Sequence, residues 1–245
     1  MRYTMKKLFT IFFIILSVNN LNSQIDIVHP PNWWIGFENQ ELQILVKGEK
    51  ISNYDVSIDY PGINLKQIHK ADSPNYLFID LNISNKTKPG TFKIKFKNEN
   101  GDLIHYYKLD NKRVLKKQNN GFDSSDVVYL ITPDRFANGD YSNDIVTGLK
   151  EDKINRDDNY ARHGGDLKGI TKNMEYINEM GFTALWLNPV LINDMKEGSY
   201  HGYATTDYYT IDPRFGTLSD YLDFSERAKK NNIKLIKDII VNHCG

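Results

Sequence analysis

Four short segments carry the side chains that could do chemistry. In Asp238-Ile-Ile-Val-Asn-His243 one carboxylate stands among neighbours that are apolar except for Lys237, and an Asn-His pair closes the run. Such a carboxylate either organises a polar pocket or is a structural group bonded to other polar residues; the histidine can bond hydroxyls as donor or acceptor. Tyr200-His-Gly-Tyr203 adds two phenols and an imidazole around a glycine. Asn138-Gly-Asp-Tyr-Ser-Asn-Asp144 is dense in oxygen ligands, and His163-Gly-Gly-Asp166 holds a further carboxylate. Hard cations such as calcium take six to eight oxygens of these kinds. The competing reading is an Asx-rich turn satisfied by its own backbone, and the spacing is not that of an EF-hand loop.

These segments need a scaffold that brings them to one end. Val127–Ile131 is a short continuous apolar run, as expected of a strand buried on both faces. Ile170, Met174 and Ile177 recur at helical spacing, with Gly181 where a helix would stop. Phe182–Leu187 reads as a second strand, and Thr217-Leu-Ser-Asp220 has capping-box spacing and opens a helix to about Asn231. Ile233–Val241 reads as a third strand that contains Asp238. This is the βαβ rhythm of a parallel sheet. Asp134 to Asp144, Asn188-Pro189 and Asn242-His243 then each follow a strand, the place where a (β/α)8 barrel gathers function.

The preceding segment has a different period. Thr91-Phe-Lys-Ile-Lys-Phe-Lys97 alternates apolar and polar residues, and Leu42–Val46 and Leu77–Ile83 carry the same signal. Pro61-Gly62, Pro89-Gly90 and Asn100-Gly101 supply turns between them, the last as a hairpin signal. Six or more short strands argue for a small immunoglobulin-like sandwich over residues 24–110. Residues 111–125 are polar and basic and read as a linker, and 126–245 hold the βα pattern.

Lys+Arg and Asp+Glu balance at 31 each, so nothing points to a nucleic-acid partner or an acidic membrane surface. Residues 1–23 read as a signal peptide: Lys6 and Lys7 precede the apolar stretch Leu8–Leu16, far short of the roughly 20 residues that span a bilayer. Cys244 is the single cysteine, so no disulfide framework is expected. The mature chain is expected to be exported, to the periplasm or outside the cell, with no membrane span.

In order and spacing, Val127–Asp140, His163-Gly-Gly-Asp-Leu167, Tyr200-His-Gly-Tyr203 and Asp238–His243 resemble the opening third of an alpha-amylase superfamily barrel, glycoside hydrolase family 13. His29-Pro-Pro-Asn-Trp-Trp-Ile-Gly-Phe37 resembles the first strands of the N-terminal domain of cyclomaltodextrinases and neopullulanases. The resemblance implies an immunoglobulin-like β-sandwich followed by the first three βα units of an incomplete (β/α)8 TIM barrel. It implies a glycosidase that cleaves α-1,4 bonds of maltooligosaccharides, cyclodextrins or pullulan with retention. It implies that Asp238 organises the pocket and that His243 binds the sugar before the cleaved bond. Tyr203 would stack on that ring; outside this context it reads as a loop tyrosine packed on its neighbours. His201 and Asp207 receive no step. By the same resemblance a structural calcium would be held by side chains of Asn138, Asp140, Asn143, Asp144 and Asp166 and by the carbonyl of Gly164. The family's nucleophile and acid/base follow strands four and five, beyond Gly245, so no catalytic residue is assigned. These 245 residues are expected to be inactive alone, with a third strand edge exposed. A glucan-binding or dimerisation module built on the sandwich is the alternative, with a homodimer through that domain. Trp33 and Trp34 are expected at a core or domain interface before a sugar or a partner subunit.

Overall fold

The computed structural model describes residues 25–99, 101–112 and 121–245. The expected signal peptide, Asn100 of the hairpin pair and most of the expected linker lie outside the described residues. The chain divides into two compact units, up to residue 113 and from 114 on.

The first unit is a sandwich of two four-stranded sheets. One has the order β1 (Ile25–His29), β3 (Glu41–Gly48), β6 (Tyr76–Ile83), β5 (Ile63–Lys70). The other has the order β2 (Asn32–Ile35), β8 (Gly101–Asn111), β7 (Gly90–Asn98), β4 (Asp55–Ile58). The period-two pattern decides which side chains meet. Along β7, Phe92, Ile94 and Phe96 are buried while Thr91, Lys93, Lys95 and Lys97 face out. Ile44, Leu77, Ile79, Tyr107 and Leu109 join them in one apolar core shared by the sheets. Asn98 opposes Gly101 across the β7–β8 hairpin, whose reversal uses Gly101 at φ 137, a region that favours glycine.

The second unit is a three-stranded parallel sheet in the order β9 (Val128–Ile131), β10 (Ala184–Leu187), β13 (Lys234–Lys237). Successive strands lie side by side in chain order, as in a barrel; a doubly wound sheet reverses order at a switch point. Only one face is covered. Ile131, Leu185 and Leu187 pack with Leu167 and Ile170 of α2 (Leu167–Lys172), Met174 and Ile177 of α3 (Met174–Glu179), and Phe224 and Ala228 of α4 (Leu218–Lys230). Val128, Leu130 and Trp186 alternate onto the other face and are 43%, 52% and 39% exposed. The expectation that β9 is buried on both faces is therefore corrected: helices cover one side, and in a barrel the other side is buried by further strands closing the ring.

Two expected elements shift and one is found as read. The single helix through Ile170, Met174 and Ile177 is two, broken at Asn173, and Gly181 ends the second with φ 85. The helix after Thr217 has its capping box: Thr217 Oγ1 accepts from the Asp220 N–H, and Asp220 Oδ2 accepts from the Thr217 N–H at 2.7 Å. The third strand stops at Lys237, because its pairing with β10 ends at Leu187, so Asp238 lies just beyond it. Long excursions leave the strand ends: 132–166 after β9, which holds the one-turn helix α1 (Pro133–Phe136), and 188–217 after β10, which holds the hairpin of β11 (Leu191–Ile192) and β12 (Asp207–Ile211).

Candidate functional site

The polar cluster sits at the C-terminal ends of β10 and β13. Trp186 is level with Ile236 in the parallel register, two residues short of Asp238 on the same side of the strand. Its indole Nε1–H donates to Asp238 Oδ2 at 3.0 Å, and the Tyr203 hydroxyl donates to the same oxygen at 3.1 Å. One carboxylate oxygen thus gathers a donor from a strand and a donor from a loop. Asp238 is half-buried and bonded to two other polar groups, an arrangement that fits both of its sequence readings. Burial and the neighbouring Asp238 charge both raise the Tyr203 hydroxyl above its ordinary pKa, which keeps it a donor. His243 Nε2 is 3.0 Å from the Tyr203 carbonyl, and the Tyr208 hydroxyl donates to the His243 carbonyl at 2.6 Å.

The Tyr203 loop is built on glycines. A one-turn helix, Ser199–His201, lies between Gly198 and Gly202, at φ 71 and 80. A Cβ on Gly202 would lie 2.0 Å from the Pro189 carbonyl oxygen, so only glycine lets the loop pass the end of β10. His201 Nδ1 accepts from the Tyr203 N–H at 2.9 Å and its ring stacks beside Tyr203, 5.9 Å between centroids. Burial lowers the His201 pKa, and the neutral ring accepts from Tyr203.

All six residues of the expected cation site come together. Asn138 Nδ2 lies 2.6 Å from Asp144 Oδ1, and a Cβ on Gly164 would lie within 3 Å of both atoms. Asp166 caps α2: Oδ1 accepts from the Gly169 and Gly139 N–H groups and Oδ2 from the Asp140 N–H and Asn143 Nδ2. Desolvation nevertheless raises its pKa. Asp140 accepts from the Lys168 ammonium at 2.6 Å, which together with bonds from Ser142 holds its pKa far below the usual carboxylate range. Lys172 reaches the Gly139 carbonyl at 2.6 Å. Asn143 Oδ1 is buried with no hydrogen-bond partner. Among the described residues no three His, Cys, Asp or Glu side chains form a metal-holding group, so the amides and carbonyl would have to complete the set.

Sequence reasoning missed Trp186 and the two lysines of α2. A tryptophan at a strand end, two positions from Asn188, was a legible signal for the first. The lysines became meaningful only once α2 was placed against the 138–144 loop. Elsewhere, Trp33 packs against the sandwich core while Trp34 faces out beside Phe37. No described helix is long and apolar enough to cross a membrane.

Two sequence families match the chain: "Cyclomaltodextrinase, N-terminal" over residues 27–113 and "Alpha amylase, catalytic domain" over residues 130–245. A cyclomaltodextrinase of Thermoanaerobacter pseudethanolicus is 35% identical over 65% of this chain and 26% of its own length. Neopullulanase 2 of Thermoactinomyces vulgaris is 40% identical over 49% of this chain and 20% of its own. A beta/alpha-amylase of Paenibacillus polymyxa is 41% identical over 50% of this chain and 10% of its own. The chain therefore spans between a tenth and about a quarter of the length of these relatives.

Proposed function

Because this chain belongs to glycoside hydrolase family 13, the alpha-amylase family, in its cyclomaltodextrinase subgroup, we propose that it supplies the sugar-gripping rim of a retaining α-glucan hydrolase. The bond cleaved is an α-1,4 link in a maltooligosaccharide, a cyclodextrin or pullulan. The observation that carries this is the convergence of Trp186 and Tyr203 on Asp238 Oδ2, with His243 against the Tyr203 carbonyl. The Tyr203 ring offers an apolar face to the C–H side of a pyranose, and His243 and Asp238 offer polar partners for its hydroxyls. Retention needs two carboxyl groups about 5–5.5 Å apart, one nucleophile and one acid/base. Asp238 is committed to two donors and is assigned neither role.

Calcium is proposed as a structural ion held by Asn138, Asp140, Asn143, Asp144, Asp166 and the Gly164 carbonyl. The oxygen-only donor set and the partnerless, buried Asn143 Oδ1 support the fit. Bound there, the ion would offset the negative charge of Asp140, Asp144 and Asp166, with the amides and the Gly164 carbonyl completing its oxygen set. Export to the periplasm is proposed from Lys6, Lys7 and the apolar run after them.

The rim is tested by maltoheptaose titration followed by tryptophan fluorescence. Saturable quenching that disappears in Trp186→Phe supports it; a flat titration contradicts it. A second reading, glucan binding by the sandwich with or without dimerisation, has its own observation: Trp34, Phe37, Lys108, Asp110, Asn111 and Lys112 line one surface depression. Binding that survives Tyr203→Ala and is lost in Trp34→Ala would favour it.

A further inference from the structure

Beneath the Tyr203 loop lies a buried ionic cluster that the sugar-binding reading does not use. Arg214 grips Asp212 through two nitrogens, Nε to Oδ1 at 2.9 Å and Nη2 to Oδ2 at 2.7 Å, and donates to the carbonyls of Glu151 and Asn193. Arg162 lies over the Phe215 ring and beside Asp134. Taking this many charges out of water is costly, and a hydrophobic core of the same volume is often at least as stable. Stability alone does not account for it.

The cluster converges on one residue. The Ser199 N–H donates to Glu151 Oε2 at 2.9 Å, and Ser199 Oγ lies 3.3 Å from Arg162 Nη1. Asn193 Nδ2 reaches the Ser199 carbonyl at 3.3 Å; with its amide turned over it would instead bond the Ala204 carbonyl and the Gly202 N–H. Either orientation ties the same loop. Ser199, Glu151, Arg162 and Asn193 are all buried, and Ser199 opens the turn that leads to Tyr203, flanked by the left-handed glycines Gly198 and Gly202. A loop with such glycine freedom needs a fixed root to keep its ring in place.

We propose that Glu151 is a positioning residue for the sugar site: by holding the Ser199 N–H it fixes the root of the loop and so aims Tyr203 at Asp238. This rests on the sugar-binding reading above, and the test separates the two. Glu151→Ala removes the acceptor, whereas Glu151→Gln keeps an oxygen on the Ser199 N–H while losing the charge. Hydrogen exchange is followed on the whole chain for both variants and for the milder Ser199→Ala, alongside maltoheptaose affinity and the thermal midpoint. Glu151→Ala is expected to speed exchange across 199–204, but not in β10, and to weaken affinity about tenfold; Glu151→Gln restores both. Unchanged exchange at 199–204 in Glu151→Ala and Ser199→Ala overturns the positioning role whatever the sugar data show. Faster exchange with unchanged affinity, where Tyr203→Ala abolishes binding, also overturns it. Affinity unchanged in Tyr203→Ala overturns the sugar reading and, with it, this role.

Discussion

Trp186 on β10 and Asp238, the residue just after the neighbouring parallel strand β13, are joined by an indole N–H to carboxylate bond of 3.0 Å at the rim of the sheet. The bond spends the polar tip of an otherwise apolar side chain on orienting one oxygen. Trp186→Phe keeps the ring and removes the donor. It is expected to weaken maltoheptaose binding by roughly 1 kcal/mol, about fivefold, with the thermal midpoint nearly unchanged, as titration calorimetry and calorimetric melting would show.

Tyr203 gives a pH prediction. Its hydroxyl pKa is raised above the ordinary value of about 10 by burial and by the Asp238 charge. The folded state therefore favours the protonated phenol; its contribution is complete below pH 10 and is lost as pH rises through the folded value. The tyrosinate difference spectrum between wild type and Tyr203→Phe should appear only above pH 10. A component titrating below 10 would refute the burial of that hydroxyl.

At the opposite end of the sheet, Asp126 joins all three strands. It accepts from Thr183 Oγ1 at 2.9 Å and from Lys234 Nζ at 2.7 Å, just before β9, β10 and β13 begin or at their first residue. The Lys234 bond is the largest of the contacts that lower its pKa to about 2. Its stabilisation is full above its unfolded value of about 4 and is lost as pH falls through about 2. Melting midpoints of Asp126→Asn should therefore depend less on pH between 5 and 2 than those of wild type.

Much of this was legible from residue types. Period two along Thr91–Lys97 gave a strand with its faces assigned, and Thr217 with Asp220 gave a helix start with both reciprocal bonds. The site residues were legible as motifs, but their partners were not. Trp186 and Asp238 are 52 residues apart, and only the parallel pairing, which sets Trp186 level with Ile236, brings them within reach. Asp238 was placed inside its strand because Ile239, Ile240 and Val241 continue the apolar run. Composition cannot reveal that pairing ends where the neighbouring strand ends. Glu151 was invisible for the same reason, since its acceptor role is set by a residue 48 positions away.

Gly165 and Gly169 permit the close packing of the loop after β9 on α2. A Cβ on Gly165 would lie 2.1 Å from the Pro133 carbonyl oxygen, and one on Gly169 1.9 Å from that of Ala137. Either glycine→Ala change should cost on the order of 2–4 kcal/mol in chemical denaturation, because backbone on both sides must move.

If calcium binds the 138–144 loop, millimolar calcium should raise the melting midpoint of wild type and a chelator should lower it. Asp144→Ala should abolish the difference. Identical midpoints with and without calcium would leave Lys168 and Lys172 as the cations of that loop.

The most direct test of the sugar-binding site is calorimetric titration of maltoheptaose into wild type, Tyr203→Ala and His243→Ala. Saturable binding by wild type, weakened at least tenfold in each variant without loss of fold, is predicted. Absence of binding by wild type, or equal affinity in all three, would contradict the assignment of Tyr203, Asp238 and His243 as the surface that holds the glucan.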